Sequence, residues 1–229
     1  MSILESIINT LAPPECLGCS KEGSALCARC AASEIIPFGE RCWRCSASTV
    51  RGKTCERCRS FGGPLYIWIT TEYDGLARQL VRHYKFGQQR PAAETLGRLM
   101  SSTFKSLNQH TSLTEYLLVP IPTATGRARE RGFDHTALLA RTLSRQLQME
   151  QARALGRLGQ TRQLGSLRTE RLTQPEGNYY VRQPSRVKGR PILLVDDVVT
   201  TGGTLRSAAK GLRGAGASRV DALIFAKRH

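Results

Sequence analysis

Short apolar runs alternate along this chain with longer segments whose apolar positions recur every three or four residues. Leu65 to Thr71 (LYIWITT), rich in aromatic and β-branched residues, predicts a strand. Tyr116 to Ile121 (YLLVPI) and Ile192 to Val195 (ILLV) predict buried strands, and Val220 to Ala226 a final one. Leu76, Leu80, Val81 and Tyr84 mark a helix that stops near Gly87. Leu96, Leu99, Met100 and Phe104 mark a second helix after Pro91, and Leu138, Leu139, Leu143 and Leu147 a third over 136–147. Residues 151–177, rich in Arg and Gly without a sustained period, predict a loop with at most one short helix, followed by a short edge strand at Tyr179 to Val181. Ile3, Leu4, Ile7, Ile8 and Leu11 share one face and predict a short amphipathic helix. Strands alternating with helices predict an α/β fold with a mainly parallel sheet, flanked by helices and joined by right-handed crossovers.

The front of the chain has a different character. Its eight cysteines form four C-x-x-C pairs, Cys16/Cys19, Cys27/Cys30, Cys42/Cys45 and Cys55/Cys58. Two such turns complete a tetrahedral four-thiolate zinc site, so two zinc ions are expected. Intervals of seven and nine residues within successive pairs, against eleven between them, favour Cys16, Cys19, Cys27 and Cys30 on one ion and Cys42, Cys45, Cys55 and Cys58 on the other. An interleaved arrangement, a disulfide framework and a redox-active pair are the alternatives. Residues 1–62 are therefore expected to form an amino-terminal helix and zinc-binding module, and 63–229 the α/β domain.

Charge adds one constraint. Thirty-four Lys and Arg against 18 Asp and Glu leave a net charge of +16, which favours phosphate-rich partners. The opening MSILESIINTLA has no basic start or small-residue cleavage site, and no stretch approaches the ~20 apolar residues of a membrane span. A cytoplasmic protein with no membrane insertion is expected.

The chemistry concentrates in Pro191 to Leu212, PILLVDDVVTTGGTLRSAAKGL. Asp196 and Asp197 follow the apolar strand, at the end where open α/β sheets bind ligands. Thr200, Thr201, Gly202, Gly203 and Thr204 then offer hydroxyls, close backbone N–H groups and a helix start, which together suit a phosphate. A nucleotide hydrolase with a Walker B strand would need G-x-x-x-x-G-K-[ST], and the chain has none.

Over thirteen positions, Ile192 to Thr204, the segment resembles the 5-phosphoribosyl-1-pyrophosphate (PRPP) motif of type I phosphoribosyltransferases. That resemblance implies a type I phosphoribosyltransferase-like fold, with Asp196 and Asp197 on the ribose hydroxyls and Thr200 to Thr204 around the 5-phosphate. Val119-Pro-Ile-Pro122 with Arg127-Ala-Arg-Glu-Arg-Gly-Phe133 resembles a block of ComF-type competence proteins, as do Tyr73-Asp-Gly75 and His83 to Phe86 and the cysteine-rich front. The chain is identified as a member of that family, which joins an amino-terminal zinc finger to a phosphoribosyltransferase-like domain. The likeness implies a role in DNA uptake during natural transformation, with single-stranded DNA and a helicase or other uptake proteins as partners. Two departures stand out: Asp134-His135 replaces the family's Asn-Gln after RGF, and Gln174 replaces an Asn in the loop marked by Arg157, Thr161, Gln163 and Arg171.

The resemblance implies that magnesium accompanies PRPP. Arg127, Arg129 and Arg131 follow the 116–121 strand and are candidates to face its pyrophosphate, Arg131 and Arg127 foremost, with Lys85 as a further cation. Asp196 and Asp197 would stabilise the positive charge that grows on the ribose as pyrophosphate leaves. His83 and His135 belong to no visible dyad and read as surface or packing residues, and Tyr66, Trp68 and Tyr73 read as core rather than as base-stacking platforms. The chain stops directly after its last strand, so no carboxyl-terminal hood for a nucleobase is expected. Two functions follow: a phosphoribosyltransferase with unknown acceptor, or a non-catalytic DNA-binding or helicase-partner adaptor whose fold senses PRPP or is vestigial.

Overall fold

A computed structural model describes residues 13–87, 90–108, 115–123, 132–157 and 179–229. Two short helices, α1 (Ala28–Glu34) and α2 (Glu56–Arg59), lie in the cysteine-rich segment. Strand β1 (Ile67–Glu72) leads through α3 (Gly75–Phe86) and α4 (Arg90–Leu107) to β2 (Leu117–Pro120), which is followed by α5 (His135–Leu147). A ribbon of β3 (Leu155–Arg157) and β4 (Tyr179–Val181) precedes α6 (Pro184–Val187). The motif strand β5 (Pro191–Val199), α7 (Gly203–Gly214) and β6 (Arg219–Lys227) complete the order.

Four strands form one parallel sheet in the order β1-β6-β5-β2. Because successive side chains alternate between faces, each apolar strand feeds two cores at once. Leu193 and Val195 of β5, with Leu223 and Phe225 of β6, meet Leu80, Leu96, Met100 and Leu139 on one face. Ile192 and Leu194, with Val220, Ala222 and Ile224, meet Leu205, Ala208 and Leu212 of α7 on the other. This double burial explains the continuous apolar runs: neither face is left for polar residues.

The cysteine-rich segment closes the β1 side of the sheet. Phe38 N–H donates to Thr70 O at 3.1 Å, Ile67 N–H to Gly52 O at 2.9 Å and Thr54 N–H to Leu65 O at 2.9 Å. Backbone groups that would stand open at the edge are paired in this way. The segment also reaches both cores. Cys16, Leu26, Cys30 and Ile35 pack with the α3–α4 side, whereas Phe38, Cys42, Trp43 and Cys58 pack with the α7 side.

Most expected elements are present. One correction concerns 151–177: Leu155–Arg157 is a strand, paired antiparallel with Tyr179–Val181 through Leu155↔Val181 and Arg157↔Tyr179. Three residues are too short for a periodic signal, and their partner lies more than twenty residues along the chain, so the pairing is decided by tertiary structure. The expected helix at Ile3 to Leu11 lies outside the described residues. Trp68 is fully buried and Tyr66 stacks on it at 5.8 Å, as the core reading expected, while Tyr73 is half-buried. Among the described residues, no helix is long and apolar enough to cross a membrane.

The starts of three strands are pinned by Asp221, a fully buried residue of β6. Tyr116 Oη donates to Asp221 Oδ2 at 2.6 Å, Arg219 Nε to the same oxygen at 2.6 Å, and Tyr66 N–H to Oδ1 at 3.0 Å. Burial raises the Asp221 pKa despite these donors. We expect Asp221→Ala to destabilise the protein by about 3–5 kcal/mol in urea unfolding, because it removes a buried carboxylate that accepts from Tyr116, Arg219 and the Tyr66 N–H. An unchanged midpoint would contradict this account.

Candidate functional site

The site gathers at the carboxyl ends of β5 and β2. Strand β5 runs three residues beyond the apolar stretch and the first acid, so both carboxylates sit on rigid backbone, with Asp196 opposite Ile224 of β6. Asp197 is 3% exposed. Its N–H donates to Asp196 Oδ1 at 2.9 Å.

A lysine and a histidine meet Asp197. Lys85, from the last turn of α3, places Nζ 2.5 Å from Oδ2, and His135 Nε2 lies 3.7 Å from the same oxygen. Burial opposes ionisation of Asp197, but Lys85 and His135 outweigh it and hold its pKa below the usual carboxylate value. Burial and the neighbouring Asp197 charge push Asp196 well above that value, against Lys85. Asp197 is thus the more acidic member of the pair.

His135 is held from behind. Asp134 caps α5 by accepting from Ala137 N–H at 3.2 Å. Thr123, just beyond β2, lies 3.0 Å from Asp134 Oδ1 and 3.1 Å from His135 Nδ1, while Thr136 Oγ1 donates to Ile121 O at 2.6 Å. Buried Tyr84 donates its hydroxyl to the His135 carbonyl. Burial, then the Asp197 and Asp134 charges, raise the Tyr84 pKa, so this donor keeps its proton. The Asp134-His135 departure therefore has a structural role: the first residue caps the helix and the second faces the acidic pair. Reading His135 as a packing residue was too narrow. No sequence signal foretold its meeting with Asp197, because the two come from different strands' ends.

The Thr/Gly turn follows. Thr200, Thr201, Gly203 and Thr204 are exposed and Gly202 is buried. Gly202 caps α7 in the left-handed region at φ 77°, with no side chain satisfying the first helical N–H groups. Those donors and the positive end of the helix dipole begin where Thr200, Thr201 and Thr204 are exposed. A Cβ at Gly202 would lie 2.1 Å from Trp43 Cη2, so the indole of the cysteine-rich segment lies directly against the turn. Trp43 Nε1 donates to Thr54 Oγ1 at 3.2 Å, and Arg213 of α7 donates to the carbonyls of Gly62 and Gly63. Arg157 lies 5.8 Å from the Tyr179 ring. Arg127, Arg129 and Arg131, and the loop residues Thr161, Gln163, Arg171 and Gln174, lie outside the described residues.

The cysteines form two groups, Cys16, Cys19, Cys27 and Cys30, and Cys42, Cys45, Cys55 and Cys58, with ligand atoms within 4.8 Å of one another in each. Each group could hold a metal ion, and the grouping is the sequential one. All eight thiols are unlinked. Sγ–Sγ distances of 3.8 Å for Cys19–Cys27 and 3.6 Å for Cys45–Cys55 fit the edge of a tetrahedron with Zn–S bonds of about 2.3 Å, roughly 3.8 Å. Burial raises the Cys16 and Cys42 pKa values, but backbone N–H donors outweigh it and lower them to about 6 and about 7. Cys30 is pushed up to about 12 chiefly by its neighbour Cys27, and Cys58 to about 12 chiefly by burial. Each group thus pairs a thiol of lowered pKa with one of raised pKa.

Known proteins bear on this arrangement. The sequence family described as "Phosphoribosyl transferase domain" matches residues 136–229, which contain β5, the turn and α7. Competence protein ComFC of Bacillus subtilis is 31% identical over 142 residues, 61% of this chain and 55% of that protein. DNA utilization protein YhgH of Escherichia coli is 30% identical over 170 residues, 73% of this chain and 74% of that protein. The chain belongs to the ComF family. Competence protein F of Haemophilus influenzae is 26% identical over 212 residues, 90% of this chain and 87% of that protein, so this likeness covers much of the cysteine-rich segment as well. Within the ComF fold seen here, a phosphoribosyltransferase-type parallel sheet flanked by helices carries two four-cysteine groups at its amino-terminal end.

The Trp43 contact has a direct consequence. Gly202→Ala is expected to cost about 1–3 kcal/mol in chemical denaturation, since it combines a left-handed φ with a collision against a buried ring. A shift in Trp43 fluorescence should accompany the loss, and an alanine variant as stable as the parent would rule the contact out.

Proposed function

We propose that this ComF protein binds PRPP with magnesium at the β5–α7 turn and serves DNA uptake during natural transformation, on the cytoplasmic side. The observation that carries the reading is the acidic pair beside an open helix start. Asp196 and Asp197 would hold the two ribose hydroxyls by accepting hydrogen bonds from them. Thr200, Thr201, Gly202, Gly203 and Thr204 would hold the 5-phosphate through N–H and hydroxyl donors. Arg127 and Arg131 would take the pyrophosphate. Magnesium, when bound with PRPP, would neutralise charge on the leaving group. Charge building on the ribose ring would be met by the Asp197 carboxylate, held at a distance set by Lys85 and His135.

Zinc at the two cysteine groups completes this reading. Each ion would compensate its thiolates and hold together a segment that supplies residues to both cores. The division into a zinc-binding module over 1–62 and a transferase-like domain over 63–229 is part of the same proposal. So is a single-stranded DNA partner, with a helicase or other uptake protein as a further one.

Whether a phosphoribosyl group is transferred is a separate matter. The alternative is an adaptor that senses PRPP without transferring the group. Release of pyrophosphate in the presence of a base or nucleic acid would decide for transfer.

Calorimetric titration with PRPP and Mg²⁺ should give saturable binding, and Asp196→Ala with Asp197→Ala should abolish it while leaving zinc content intact. Binding retained in that double variant would remove the site assignment. Metal analysis should find two zinc ions per chain, and Cys42→Ser should leave one and alter the Trp43 signal. A single ion in the parent protein would refute the two-site reading.

A further inference from the structure

One cavity shares helix α3 with the Lys85–Asp197 contact. It has a volume of about 670 Å³ and opens at the carboxyl ends of β1 and β6, where Tyr73, Arg78, Arg82, Phe86 and Arg228 line it. Arg78, Arg82 and Phe86 follow one another at four-residue steps on α3 and therefore share one helix face. The rise per residue spaces the two arginines about 6 Å apart along the helix axis. Both are exposed, and neither forms an ion pair among the described residues.

The opposite wall comes from β6. Arg228 lies 5.9 Å from the Tyr73 ring, and its N–H donates to Val199 O at 2.8 Å, two residues beyond Asp197. The wall also contains carboxylates. Glu72 is engaged by Arg41 and by His229, the latter at 3.1 Å, while Asp74 stands exposed at the start of α3. Lys227 is buried with Nζ donating to Arg228 O at 2.6 Å. The guanidiniums thus dominate the opening. Phe86, 62% exposed, adds a flat apolar surface at its rim.

We propose that this cavity binds a single-stranded nucleic acid, with phosphates on Arg78, Arg82 and Arg228 and a base stacked on Phe86. This rests on the DNA-handling reading above and gives the strand a place next to the phosphoribosyl site. The geometry separates it from a small anion site. A diphosphate calls for converging donors, whereas these three are spread over a helix and a strand end, and inorganic phosphate gains nothing from an aromatic face. Stacking on aromatic rings beside a basic track is the usual way of holding a single strand without reading its sequence. Helix α3 is shared by the two sites: Lys85 turns inward to Asp197 while its neighbours line the cavity. A strand held here would lie beside the sugar-binding carboxylates.

Fluorescence anisotropy with a labelled twelve-residue oligothymidylate tests the assignment, using the full chain with zinc content verified. Arg78→Gln with Arg82→Gln should weaken binding about tenfold and lower the slope of log affinity against log salt by about 1.4, or 0.7 for each lost phosphate contact. Phe86→Ala should weaken binding several-fold with the slope unchanged. PRPP titration should be unaltered in both variants, since none of these residues belongs to that site. If the parent protein binds no oligonucleotide, the DNA-handling reading itself fails. If the parent binds and the double glutamine variant binds equally well, only the cavity assignment fails. Competition by thymidine monophosphate at the oligonucleotide's own concentration would replace the strand with a single nucleotide and overturn the proposal.

Discussion

A parallel sheet that is apolar on both faces has to be covered on both faces and along any open edge, and the rest of this protein depends on how that is done. Helices α3, α4 and α5 cover one face and α7 the other, but β1 remains at the side of the four-stranded sheet. The cysteine-rich segment runs along it and divides its side chains between the two cores. Cys16 and Cys30 enter one, Cys42 and Cys58 the other. A four-thiolate group would be a compact way to fold such a segment, because a bound cation would replace the many large side chains it lacks. The cysteines are therefore structural parts of the transferase-type sheet as well as candidate metal ligands.

The same segment touches the chemistry. Trp43 follows Cys42 and lies against Gly202, the residue that starts α7 and closes the Thr/Gly turn. Phe61 packs edge-on to Trp43, and Arg206 of α7 lies 5.2 Å from the Phe61 ring. The conformation of the phosphate-type turn is thus supported from the far end of the sequence. A change in the thiol group would be felt at the turn through one indole.

Electrostatics organise the carboxyl edge of the sheet by separating charge types. Asp197 is buried and Asp196 beside it half-buried, so two negative charges are costly there, and Lys85 stands against the second. Three and seven residues before Lys85 on α3, Arg82 and Arg78 are exposed and form no ion pair among the described residues. The inward lysine and the outward arginines belong to one helix, so the sugar-type site and the basic cavity have a common wall. The excess of positive charge in the composition is in part located here, where phosphates would be attracted.

The local pattern was sufficient for the elements and the motif. Four apolar strands, the helices between them, the acidic pair, the Thr/Gly turn and the sequential cysteine groups are all legible along the chain, because each depends on residues adjacent in sequence or on a fixed period. Three features depend on distance. Leu155–Arg157 becomes a strand only because Tyr179–Val181 comes to lie beside it. His135 and Lys85 reach Asp197 only when β2, α3 and β5 are brought together. The small side of Gly202 is required by Trp43, more than 150 positions earlier in the chain. Periodicity and propensity describe neighbours along the backbone. Charge compensation, close packing and strand pairing are satisfied between residues that only the folded sheet makes neighbours, and so the tertiary structure alone decided them.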